Sequence, residues 1–327
     1  MSARIPPPLP ATKDPLDPWR KRFPIVNRTN YLISNSLGAM PERAREDLAE
    51  YAETWAARGV RAWGEGWWEM AVTVGDLAGR VIGAPPGSVT MHQNVTLASA
   101  IVASCFDFRR GPRRKVVMVD MEFPSLLYLW HRLRSQGVEL EVIRSEDGVS
   151  LPTDRLLAAI DRRTALVPIS HVLFRSSWIL DAKAVAERAR KVGARVCLDV
   201  FQSAGTVPVD VTALDVDFAV GGALKWLCGG PGAAYLYVRP DLRKDLLPRL
   251  TGWQAHEAPF AFEPGPIRAR EDGWRFLTGT PNIPALYAAR AGIGILGEIG
   301  SGPVREKSLR QTARLVALAE REGWKVT

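Results

Sequence analysis

Cysteine is scarce in this chain of 327 residues, and its arrangement excludes more than its number does. Cys105, Cys197 and Cys228 are odd in count and form no C-x-x-C pair. Neither a disulfide framework nor a zinc site is therefore expected, and a reducing, cytoplasmic compartment suits the chain best. No apolar run reaches the roughly 20 residues that cross a bilayer, so no membrane partner is expected. The stretch from Met1 to Pro24 is rich in proline and charge and lacks the apolar segment of a secretory signal. Internal repeats are missing, and Pro6-Pro7-Pro8 is the nearest approach to low complexity. The net charge of +8 is scattered rather than patterned. Its densest cluster, Arg109, Arg110, Arg113, Arg114 and Lys115, reads as a solvated loop ahead of an apolar strand. Nucleic acid is thus not expected as a partner, while a basic chain attracts anionic small molecules.

What is present is the pattern of a globular α/β protein, 46% hydrophobic and 24% charged. Short apolar runs at Val116–Val119, Leu140–Ile143, Ala165–Ile169, Arg195–Leu198 and Asp217–Val220 predict buried strands. Helical stretches at Ser125–Ser135, Thr153–Ile160 and Asp181–Lys191 fall between several of them, the last closed by Gly193. Such alternation predicts a mainly parallel sheet between helical layers. Ala233–Val238 follows too soon for a helical crossover and is expected to join antiparallel. We expect an N-terminal arm over 1–40 and a large α/β domain over 41–300. The large domain opens with a helix from Pro41 to Arg58 and ends with one from Pro284 to Ile299. Residues 301–327 read as the start of a truncated small domain, with a helix from Val304 to Glu322 after the break at Gly300-Ser301-Gly302-Pro303, then the opening of a strand.

Two segments carry chemistry. Asp199 ends the run Val196-Cys197-Leu198-Asp199, where parallel sheets bind ligands. Lys225 stands alone in the apolar, glycine-dense Gly221-Gly222-Ala223-Leu224-Lys225-Trp226-Leu227-Cys228-Gly229-Gly230. Burial there disfavours the ammonium form and favours a nucleophilic amine. An aspartate for a pyridinium nitrogen and a lysine for a Schiff base are what pyridoxal 5'-phosphate (PLP) requires. Taken singly, Asp199 reads as a loop cap and Lys225 as a solvated side chain; the pair in this order points to function. His92-Gln93-Asn94-Val95-Thr96 leads into an apolar helix whose N-terminus suits a phosphate, with Thr96 as a plain N-cap the alternative. Phe123, in Glu122-Phe123-Pro124-Ser125, is placed to stack on a ring or to fill the core.

These segments, with several others, resemble class V of the PLP aminotransferases, and within it the kynureninases. Asn35-Ser36-Leu37-Gly38, Phe123-Pro124-Ser125, Ser170 to Ser176, Ser203-Ala204-Gly205, Gly252-Trp253 with His256, and Phe276 to Pro281 are similar to family motifs and in family order. The resemblance implies the aspartate-aminotransferase fold (fold type I), with PLP held by Lys225. It places Asp199 on the ring nitrogen, Phe123 on the ring face, Gln202 near the ring hydroxyl, and Val95 and Thr96 on the phosphate. It brings Trp253 and Thr280 from a neighbouring subunit, hence a homodimer. Asn35, Ser36, Trp67, Arg175 and His256 become candidates for contact with an amino-acid substrate, buried indoles being the alternative for the tryptophan-rich stretch of Trp67. The implied reaction is hydrolytic Cβ–Cγ cleavage of a kynurenine-type substrate; another class V outcome (transamination, epimerisation, C–S cleavage) is the alternative, and an inactive scaffold a third. The chain departs from kynureninases at Leu126, where aspartate is usual, at Leu224 in place of tyrosine, and at Gln202 in place of histidine.

Overall fold

The apolar runs become the strands of one seven-stranded sheet. These are β1 (Val89–His92), β2 (Lys115–Val119), β3 (Glu139–Ile143), β4 (Thr164–Ser170), β5 (Arg195–Asp199), β6 (Phe218–Gly222) and β7 (Ala234–Val238). The structure, a computed structural model, describes residues 14–326; Pro6-Pro7-Pro8 and Thr327 lie outside them. The strand order is β1-β7-β6-β5-β4-β2-β3. Only β7 runs antiparallel, to β1 on one side and β6 on the other, as its short connection from β6 demands.

Eight α-helices are described: α1 (Glu42–Arg58), α2 (Met70–Val81), α3 (Val95–Ser104), α4 (Pro124–Leu133), α5 (Thr153–Ala159), α6 (Ala182–Val192), α7 (Ile283–Ile299) and α8 (Ser301–Arg321). Side chains alternate across the sheet. Val117, Val119, Val196, Leu198 and Tyr235 enter one core with α2, α6 and α7. Val116, Met118, Cys197, Phe218 and Leu236 enter a second core with α3 and α4. Burial on both faces is why these strands read as continuous apolar runs.

Several expectations are corrected. Lys115 is not a solvated loop residue: it opens β2, buried, with its ammonium 2.9 Å from both Glu141 and Asp161. Its neighbour Arg113 donates to the Val192 carbonyl. Pro41 is the N-cap of α1 rather than part of its first turn. The break before the last helix narrows to Gly300, which has φ +76°. Pro303 is tolerated in the first turn of α8 because its missing N–H has no intrahelical acceptor there. No strand forms at Trp324–Val326; the Trp324 N–H closes a turn back onto Ala319. The segment before α1 carries short 3-10 turns at Asp17–Arg22 and Pro24–Asn27.

Candidate active site

The carboxyl ends of β1, β2, β4, β5 and β6 meet at one edge of the sheet, where a cavity of about 450 Å³ opens. Asp199, the last residue of β5, supplies its buried carboxylate. The carboxylate accepts the Phe201 N–H at 2.8 Å. Burial pushes its pKa up to about 6, an effect opposed by that hydrogen bond and by the charge of Lys225. Lys225 reaches the same cavity from the loop after β6. Its pKa is lowered by burial and held up in part by Asp199. The amine has no hydrogen-bond or ion-pair partner among the described residues. It lies 4.6 Å from the Phe201 ring centroid and 5.6 Å from that of Phe123.

Two close approaches shape this loop. A Cβ on Gly222 would stand 2.4 Å from the Phe201 ring, so the glycine lets that ring lie beneath the amine. A Cβ on Gly38 would stand 2.0 Å from the Lys225 carbonyl, and the Gly38 N–H donates to Leu224 O at 2.7 Å. The arm is thereby stitched to the lysine loop, which brings Asn35 and Ser36 to the cavity. Gln202 lines it too. Its amide donates to Asn35 O at 3.3 Å and accepts from the Trp226 indole at 2.9 Å.

Val95 and Thr96 enter the cavity from the first turn of α3. Asn94, not Thr96, is the N-cap: its side chain accepts the Leu97 N–H at 2.9 Å. Thr96 is left exposed with its hydroxyl available, beside first-turn N–H groups that suit an anion. Phe123, nearly half exposed, forms a wall and meets Phe174 edge-on at 5.2 Å. Leu126, Val172 and Phe174 complete an apolar side.

The remaining sequence candidates lie outside this cavity's lining. Trp67 is buried, donates to the Tyr287 hydroxyl at 3.1 Å and stacks on Tyr51. The buried-indole alternative is the one the packing satisfies. Arg175 is exposed in a turn. His256 is held by its own loop, Nδ1 accepting the Ala258 N–H at 2.9 Å. Thr280 lines a separate, far smaller cavity with His92 and Gln93. Trp253 stands partly exposed in an aromatic group with Trp68, Phe260 and Phe262. Sequence reasoning gives no cavity role to Phe201, Ser170, Val172 or Phe174; the signals are the family-like stretch Ser170 to Ser176 for three of them and, for Phe201, its place two residues beyond Asp199.

A free amine and a buried carboxylate across a half-apolar cavity, with a helix N-terminus at its rim, fit a flat anionic heterocycle that bonds to lysine. Fold and site together define a PLP-dependent enzyme of the aspartate-aminotransferase fold. The family model of the class-V aminotransferases matches residues 30–326. A kynureninase of Burkholderia pseudomallei is 33% identical, covering 94% of this chain and 74% of that protein. An uncharacterized aminotransferase, YcbU, of Bacillus subtilis is 31% identical, covering 93% and 79%. Among solved structures, the apo cysteine desulfurase of Thermococcus onnurineus superposes with a TM-score of 0.81 at 24% identity, covering 98% of this chain and 78% of that one. A cystine C–S lyase superposes at 0.77 with 22% identity, covering 85% and 74%. The chain belongs to the class V aminotransferase family, and its cofactor is pyridoxal 5'-phosphate.

Proposed function

We propose that the protein cleaves a kynurenine-type amino acid hydrolytically between Cβ and Cγ, releasing alanine and an anthranilate-type product. The observation that carries this reading is the likeness to kynureninases over nearly the whole chain. The apolar residues Val172 and Phe174 in the cavity support it by suiting an aryl side chain. PLP, when bound, supplies an electron sink for negative charge developing at the substrate Cα. The residues of this chain do the rest. Lys225 would carry the cofactor and, once released, would serve as the base that takes the Cα proton; its lowered pKa leaves more of the amine unprotonated. Asp199 would hold the proton on the ring nitrogen. Phe123 would cover one ring face, and Val95 and Thr96 would hold the phosphate. Gln202 stays near the ring hydroxyl, pinned by Trp226 and the Asn35 carbonyl. Asn35 and Ser36 sit where a substrate would enter, with Arg175 and His256 as less direct contacts.

A homodimer follows in this reading, with Trp253 and Thr280 offered to the partner's site. Three free cysteines suit a reducing cytoplasm, and no described helix is long and apolar enough to cross a membrane. One observation favours a second reading: Leu126 lines the cavity where kynureninases usually carry aspartate. Another class V outcome (transamination, epimerisation or C–S cleavage) would then apply. Anthranilate fluorescence on mixing with kynurenine or 3-hydroxykynurenine separates the two. Purified protein is expected to be yellow and to give that fluorescence, and Lys225→Ala to lose both the visible band and the activity. A yellow protein silent on both substrates selects the second reading, and a colourless protein that PLP does not reconstitute overturns both.

A further inference from the structure

Behind the cavity wall lies a carboxyl group that the proposed chemistry does not use. Glu122 precedes Phe123 and is 1% exposed. One of its oxygens accepts the Ser170 N–H at 2.9 Å, and the other meets the Ser170 hydroxyl. No cation pairs with it among the described residues. Ser170 closes β4, stands in register with Asp199 on β5 and lines the cavity. A carboxylate buried without a cation is strongly disfavoured. Burial accordingly raises the Glu122 pKa to about 8, against the pull of both Ser170 hydrogen bonds and with the charge of Asp199 adding to the rise. The other titratable group coupled to it is Cys197 on β5, whose thiol is itself pushed up by burial and stays neutral.

We propose that Glu122 is a positioning residue that holds a proton and donates it in a hydrogen bond to Ser170 Oγ, turning the Ser170 hydroxyl hydrogen into the cavity beside Asp199. A hydroxyl has one hydrogen to give. While Glu122 is neutral, that hydrogen serves a ligand at the Asp199 end of the cavity. Once Glu122 loses its proton to solvent, the hydroxyl must donate to the carboxylate, and the cavity loses a donor while a second negative charge appears near Asp199. The identity of that ligand as the cofactor rests on the function proposed above; the direction of the hydrogen bond does not.

Glu122→Gln preserves the neutral pattern at every pH, because an amide both accepts from Ser170 N–H and donates to Oγ. Two measurements test the assignment. Infrared spectra of the cofactor-free protein are expected to show a protonated-carboxyl band at pH 7 that disappears as pH rises through about 8 and is absent in Glu122→Gln. The absorption of bound PLP is expected to change over the same range in the wild type and to stay constant in Glu122→Gln, while Ser170→Ala lacks the hydroxyl donor already at low pH and keeps only the part of the change that the Glu122 charge causes. The absence of a carboxyl band that titrates near 8, or the survival of that band in Glu122→Gln, overturns the protonated acid; the Asp199 carboxyl is told apart by its titration near 6. A band that behaves as expected beside an absorption change that persists in Glu122→Gln overturns the orienting role. Failure to bind PLP would defeat the functional reading alone, since the infrared arm needs no cofactor.

Discussion

At the scale of single residues, this site is governed by burial of charge. Asp199 is almost wholly enclosed and accepts one N–H, with the Lys225 ammonium acting on it only through space, so its ionised form is poorly supported until a cation lies in the cavity. The sign of the consequence follows from a raised pKa. In the cofactor-free protein the contribution of Asp199 to stability is fully present below about 3.8 and is lost as pH rises through about 6. Glu122 acts in the same direction, its contribution fading as pH climbs from about 4.5 through about 8. Asp199→Asn removes the penalty while keeping an acceptor for Phe201 N–H. That variant is therefore expected to exceed the wild type in stability at pH 7.5 by ~1–3 kcal/mol, the gap closing near pH 4. Urea unfolding of both cofactor-free proteins across this range checks it. The same variant is expected to hold PLP less tightly, because a neutral amide cannot stabilise a protonated ring nitrogen.

At the scale of elements, the site depends on where chain segments touch rather than on any one of them. The arm reaches the lysine loop through the Gly38 N–H and Leu224 carbonyl, and Gly38 is the residue that permits the approach. Gly38→Ala places a methyl group on the Lys225 carbonyl, which must move, and Asn35 then withdraws from Gln202. The expected result is a loss of ~1–3 kcal/mol in stability, the range of overpacking a tight contact, together with weaker retention of PLP. Denaturant unfolding and cofactor release on dialysis measure the two effects. On the far side of the sheet, Lys115 ties β2 to Glu141 of β3 and to Asp161 after α5, a role for which its sequence neighbours gave no sign.

At the scale of the molecule, Asp199, Lys225, Phe123, Val95 and Thr96 come to the carboxyl edge of the sheet because the parallel strands that precede them end there. The antiparallel β7 returns the chain beside β6 and frees the loop of Lys225 between them. On the outer surface, Trp253, Phe260 and Phe262 are exposed, a group that suits contact with a second copy. Sedimentation is expected to report a dimer, twice the 36.0 kDa chain mass. In mixed dimers of Lys225→Ala and Trp253→Ala chains, one intact shared site per dimer would restore activity that neither variant has alone. A monomer that retains full activity would dismiss shared sites.

Local chemistry was enough to read the strands, most of the helices, the antiparallel return and the convergence of Asp199 and Lys225 on one cavity, because burial on two faces and a lysine among glycines leave their mark in consecutive residues. Helix ends were less legible, since capping by Asn94 or the break at Gly300 turns on one dihedral or one side-chain bond. Only the tertiary structure could decide that Trp67 faces Tyr287 instead of a substrate, that Phe201 underlies the amine, or that Lys115 is buried. It alone brings Glu122 to Ser170, 48 residues apart. The physical reason is shared: the environment of each of these groups is made by chain that is distant in sequence. Their burial and charge state therefore exist only once the sheet has assembled.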